Sequence, residues 1–228
     1  MYFARGQRIH NVIQTKNKTI KKDKRMKYYL KQGIFPFIYQ VFMATLAFAI
    51  LMIKDLVWLK VILALLNVAL YIVLLVGIAY KDGQEALKIQ MANDLERKEI
   101  IRTGEDRPLR LHEEYKPWKG FMCGLVSSIP VIVLLLLHTI VYHATGSYVG
   151  LGAVAGIMYM MFFVFFNLNG TSDGATATFS WYSYYGTLIT VPVTMITMGI
   201  AYIMGAKKIM RQQEMIREKQ RQIYGDKG

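Results

Sequence analysis

The chain has 228 residues, of which 54% are hydrophobic and 19% charged, and its formal net charge is +13. That balance excludes a disordered chain, and the stretch 120–206 excludes an ordinary soluble domain, because its 87 residues contain no lysine or arginine and one acid, Asp173. The positive charge is uneven: residues 1–33 hold ten Lys/Arg against one acid, 81–119 nine against nine, and 207–228 seven against three.

Excess cations on polar segments that flank apolar ones mark cytoplasmic flanks facing anionic lipid, more than a nucleic-acid surface. The single cysteine, Cys123, has no internal disulfide partner and reads as a small buried hydrophobe. The N-terminus does not resemble a cleavable secretory signal, since its polar region is long and no small-x-small site follows the first apolar run. Arg5 and Arg8, without acids over residues 1–12, are a weak transit-peptide feature, and an interfacial or cytoplasmic arm fits better.

In chain order, residues 1–33 form a basic arm. Lys21, Lys22, Lys24, Arg25 and Lys27 are its candidate contacts to anionic headgroups, each contributing on the order of 1 kcal/mol. An orientation signal alone would account for the same residues. Residues 34–53 are free of charge, enough to cross the ~30 Å hydrocarbon core. Pro36 is expected in the first turn of this span, where a missing N–H is harmless, and Gln40 is the one strongly polar residue. After Lys54-Asp55, a second apolar run covers 56–80, completing a helical hairpin over 34–80. Lys60, near its outer end, is expected to snorkel. Asn67, near its middle, is expected to bond to a neighbouring helix or, less simply, to a solute.

Lys81-Asp82-Gly83 either turns the chain or lies in a continuing helix. Leu87, Met91 and Leu95 recur at i, i+4 and i+8, which predicts an amphipathic helix over 84–102 that stops at Thr103-Gly104. Its charges balance across 81–119, so this cytoplasmic segment suits packing on protein. Glu113-Glu114 reads as a solvated pair and Trp118 as an interface marker.

The third span is 121–142, inside the apolar region 120–206. Pro130 interrupts its hydrogen bonding, and Ser127 and Ser128 are placed to re-satisfy the freed backbone. Such a break beside small hydroxyls can form an ion or solute site, though a structural kink is the simpler reading. A fourth apolar run covers 148–167. Its Gly152-x-x-x-Gly156 pair is a candidate close-packing face. Turn signals fill 168–186, with an aromatic belt at 181–185. The last run, 186–206, carries Thr187, Thr190, Thr194 and Thr197, and a helical tail follows over 207–228.

Three basic or mixed flanks on one side require an even number of crossings, yet there are five apolar runs. The expected fold is therefore all-α and polytopic, with four spanning helices and 148–167 as a re-entrant or half-crossing segment. Five full spans are the alternative, and they would place a seven-cation tail outside. The expected location is the cell membrane, multi-pass, with both termini cytoplasmic.

The sequence carries none of the familiar catalytic motifs, which sets a membrane enzyme acting on lipid or peptide behind the other readings. It has no Gly-rich phosphate loop, His-Glu-x-x-His, cysteine pair or Gly-x-Ser-x-Gly, and no acid lies inside an apolar run. His138, His143 and Asp173 do not make a convincing metal set, and no cofactor is expected. The expectation is a non-enzymatic subunit or scaffold. It would bind the bilayer, anionic headgroups and a protein partner or second copy, through small-residue faces and cytoplasmic helices. The alternative is a small transporter or channel near the kinked third span, with Asn67, Ser127, Ser128, Pro130 and Thr194 as its polar membrane positions.

Overall fold

A computed structural model of the chain describes residues 2–53, 56–104, 109–145, 162, 165 and 187–225, with side chains from residue 26 onward apart from those at 138, 142, 187 and 224. Four long helices account for almost all of it: α1 (Tyr2–Leu51), α2 (Val57–Thr103), α3 (Lys119–Thr145) and α4 (Thr190–Tyr224), the last entered through a 3-10 turn at Thr187–Ile189. All four are long and apolar enough to cross a membrane, and no strand occurs among the described residues. Lipid offers the backbone no hydrogen-bond partner, so apolar runs of this length close their hydrogen bonds within helices.

The helices extend far beyond their apolar segments. At about 1.5 Å per residue, α1 is roughly 75 Å long and α2 roughly 70 Å, against ~30 Å of hydrocarbon. Pro36 therefore lies in the interior of α1 instead of its first turn. There it removes the bond to the Gln32 carbonyl, which makes it a kink site and not a helix start. Lys81-Asp82-Gly83 lies inside α2 and does not turn the chain. The helix ends at Gly104, whose positive φ of 75° lets its N–H bond the Ile100 carbonyl at 2.8 Å.

Each helix turns one stripe inward. On α2 it runs Lys60, Ala64, Asn67, Tyr71, Leu75, Ala79, Gly83, Leu87 and on to Asn93. On α1 it runs Gly33, Pro36, Gln40, Met43, Ala47 and Leu51. Lys60 belongs to the inward stripe and is only 5% exposed. α1 packs on α2 and α3, and α4 packs on α2 and α3. Asn67 facing Met43 makes α1 and α2 antiparallel, and Gly120 facing Met198 with Gly124 facing Thr194 does the same for α3 and α4. Tyr71 faces Thr194 and Met91 faces Gln213, so α2 and α4 run parallel.

This register defines two ends. The charged end carries residues 26–33, 81–104, 109–119 and 207–225, while the far end carries Leu51, Val57, Thr145 and Thr187. α3 leaves the bundle and α4 starts at the same far end. A fifth complete crossing between them would have placed the start of α4 at the charged end. Within the 148–167 run, Phe165 packs on the far-end core of Ala47, Leu51, Ala64, Val131 and Leu135, and Phe162 packs on the central core. The rest of that run, Gly152 and Gly156 with it, lies outside the described residues, as do Asp173, the 168–186 turns and belt, and the side chains of Lys21, Lys22, Lys24, Arg25 and His138.

Candidate functional site

The polar residues of the apolar segments meet in one layer. The Asn67 amide donates to the Met43 carbonyl across the α1–α2 contact at 2.9 Å. One turn further along α2, the Tyr71 hydroxyl lies 2.7 Å from the Thr194 hydroxyl on α4, and both side chains are fully buried. Gln40 is buried one turn of α1 closer to the charged end than Met43, which sets it level with Tyr71. The Gln40 Oε1 and Asn67 Oδ1 oxygens have no hydrogen-bond donor among the described residues. Unpaired amide oxygens in a dry core cost about 1–3 kcal/mol each, so this layer can accept a donor or a partly dehydrated cation.

On α3 the outcome differs from the expectation for Pro130. Ser127 and Ser128 both donate to the Gly124 carbonyl, at 2.8 and 3.0 Å, and not to Val126, whose carbonyl Pro130 deprives of a donor. The reason is steric reach: a helical serine hydroxyl folds back three or four residues from its own position, to Gly124, and Val126 is too close in sequence. The serines thus bond back within their own turn and leave the Pro130 break to the rest of the helix.

Glycines set how closely the helices approach. A Cβ at Gly124 would lie 2.7 Å from the Met195 Cα, and one at Gly120 would lie 2.6 Å from the Tyr202 Cβ. Gly83 on α2 sits against the Tyr202 backbone carbonyl, and Gly205 on α4 sits against the Tyr80 backbone carbonyl, both too closely for any side chain. Tyr80-x-x-Gly83 and Tyr202-x-x-Gly205 thus form a reciprocal crossing of two parallel helices. Small residues serve this purpose in lipid, where association rests on van der Waals contact instead of the hydrophobic effect.

At the charged end, the connection 109–118 is fastened to the bundle. Asn93 is buried and donates to Glu114 at 3.0 Å, and Arg97 pairs with Glu114 and, at 2.8 Å, with Asp94. Glu114 is consequently an anchored, half-buried acid and not a solvated one. Lys119 donates to the His112 and Glu114 carbonyls and sits 4.9 Å above the Tyr28 ring. Tyr115 stacks on Tyr202 at 5.4 Å between ring centres, and Trp118 lies 6.1 Å from Tyr29. Beside this strap is a cavity of about 430 Å³ lined by Lys27, Tyr28 and Lys31 of α1, Asp82 and Glu85 of α2, and His112 and Glu113 of the strap, among others. Asp82 lies beyond the apolar run of α2. Burial, with Glu85 adding to it, pushes its carboxyl up to about 6.

Of the polar positions expected from sequence, Asn67 and Thr194 enter one layer with Tyr71, while Ser127 and Ser128 face inward on α3. Lys27 lines the cavity. Tyr71, Asn93 and the packing glycines at 83, 120, 124, 199 and 205 were not flagged. The signal available for them was the four-residue spacing of small and polar residues along each stripe. Among the described residues no group of three His, Cys, Asp or Glu is placed to hold a metal. The chain matches no protein-family model, no curated protein and no solved structure.

Proposed function

We propose that this chain is a non-enzymatic subunit or scaffold of the cell membrane, with both termini cytoplasmic, that holds a partner protein on the helices projecting from its charged end. One observation carries this reading. Beyond the Met91–Gln213 contact, α2 and α4 continue with their apolar side chains uncovered: Leu95 is 65% exposed, Ile101 84% and Ile223 73%. Ile216, 56% exposed, lies two turns before Ile223 on the same face of α4, and water-facing helices rarely keep such side chains without a protein to cover them. The close-packed glycines at 83, 120, 124, 199 and 205 are used inside the chain, so partner binding falls to these extensions. The cation excess of the arm and tail supports the orientation. A tagged full-length chain in mild detergent is expected to retain a partner that Leu95→Glu with Ile216→Glu releases at unchanged thermal stability. A clean monomer with no partner would overturn the reading. Gln222→Cys is expected to stay unlabelled by an impermeant thiol reagent on intact cells, and labelling would reverse the orientation.

A second reading, a small transporter or channel, is favoured by the unpaired Gln40 and Asn67 oxygens in the bundle centre. Vesicles holding the chain would then pass an ion or small solute, and Asn67→Leu would stop it. No flux of any tested solute would remove this reading.

A further inference from the structure

The charged-end cavity has an unusual charge arrangement. Lys27 and Lys31 line it from α1, Asp82 and Glu85 from α2, and Glu113 from the strap. No ion pair joins either lysine to either of the α2 acids, although all four share one cavity. Opposite charges are thus held apart across an open space, a geometry that a ligand with both charges completes. At about 430 Å³ the cavity is within the range of ~300–1,000 Å³ usual for ligand sites.

Its position narrows the ligand class. The cavity begins where the apolar runs end, just before Ile34 on α1 and just after Tyr80 on α2, which is headgroup depth for a helix spanning hydrocarbon. Lys27 and Lys31 also start a face of α1 that continues as Phe35, Ile38 and Phe42, each more than half exposed. That face is a track for an acyl chain running from the cavity into the bilayer. An anionic lipid would satisfy the lysines but would meet Asp82, Glu85 and Glu113. A primary ammonium offers N–H donors to those acids.

We infer that this cavity binds the headgroup of a zwitterionic aminophospholipid of the phosphatidylethanolamine class, with the phosphate at Lys27 and Lys31 and the ammonium at Asp82 and Glu85. The high affinity of Asp82 for a proton fits a carboxylate that lacks a cation. The inference is independent of the scaffold reading, since a chain with no protein partner would still bind the lipid.

Native mass spectrometry of the purified full-length chain tests it, with phosphatidylethanolamine and phosphatidylglycerol of the same acyl chains supplied in equal amounts. Phosphatidylethanolamine adducts are expected to exceed phosphatidylglycerol adducts by about tenfold, the equivalent of one charge-assisted hydrogen bond. Asp82→Asn is expected to abolish this preference, and Lys31→Gln to weaken both lipids. Glycerophosphoethanolamine, which has the headgroup without acyl chains, is expected to bind more weakly. Equal retention of the two lipids by the unaltered chain, or a preference that survives Asp82→Asn, would overturn the site. Equal retention of glycerophosphoethanolamine would overturn the lipid assignment.

Discussion

Replacing Gly83 by alanine tests the reciprocal crossing directly. A helical glycine exchanged for alanine gains about 1 kcal/mol of helix propensity where space is free. At Gly83 space is not free, because the added carbon would fall on the Tyr202 carbonyl. That neighbour is backbone, so it cannot rotate away, and α2 and α4 would have to separate by about an ångström. Interiors packed to crystal density resist such a shift, and overpacking costs about 1–3 kcal/mol, with rigid neighbours at the upper end. The expected net loss is about 2 kcal/mol after the propensity gain is subtracted.

Cys123 supplies the assay. It is the sole cysteine, buried in the central core together with Tyr202, so a thiol-reactive fluorophore reports when the bundle opens. Gly83→Ala should lower the melting temperature seen by this dye in mild detergent. Gly77→Ala is the control: a Cβ there meets nothing within 4 Å, so it should melt unchanged or slightly later. Gly205→Ala should behave like Gly83→Ala, and the double variant should lose less than the sum, because the first substitution has already parted the same two carbonyl–glycine contacts. Gly83→Ala melting no earlier than Gly77→Ala would refute the crossing.

Tyr71→Phe should cost about 1–2 kcal/mol in the same melt, since it leaves the Thr194 hydroxyl unpaired in the core, and Thr194→Val combined with it should recover part of that loss. Asp82→Asn should stabilise the chain at pH 7.5 in lipid-free detergent, by at most about 3 kcal/mol. The sign follows from a folded value near 6 lying above the unfolded 3.8: the folded chain binds the proton more tightly, so the aspartate costs stability above pH 6 and the gain vanishes below pH 4. Melts at pH 7.5 and 4 measure the difference, and equal gains at both would contradict it. Glu114→Ala should loosen the strap, visible as faster amide exchange over 109–118, because the amide of Asn93 loses its acceptor and Arg97 is left with Asp94, on its own helix.

The bundle was legible in the sequence because bilayer thickness acts on composition alone. Apolar runs that are long enough and nearly free of charge give spanning helices with no appeal to tertiary contacts. The even-crossing requirement was legible too, since it follows from where lysine and arginine lie, and α3 and α4 meeting at the far end obey it. What could not be read was which side of a residue faces inward. Pro36 illustrates the loss: a start was expected at the edge of the apolar run, yet the helix had already formed through the basic arm, whose side chains favour helix as readily as lipid-facing ones do. Ser127 and Ser128 illustrate another, because their hydroxyls can reach only carbonyls three or four residues back. Gly83 and Gly205 are 122 positions apart in sequence, and nothing short of the helix register reveals that each fits under the other's tyrosine.

The same register bears on the choice between scaffold and channel. The unpaired oxygens of Gln40 and Asn67 lie in the middle of the bundle, and the charged cavity lies at its end. Between them stand Ala79, Ala86, Tyr202 and Cys123 of the central core, with the glycine crossing at the same level and Tyr115 stacked on Tyr202 beneath it. The cavity is lined by α1, α2 and the strap, and the two oxygens belong to α1 and α2, so the α2–α4 crossing closes the other side of the bundle. That contact has no flexible side chain to swing aside, so opening it means moving whole helices. A bundle joined in this way suits a rigid base for projecting helices.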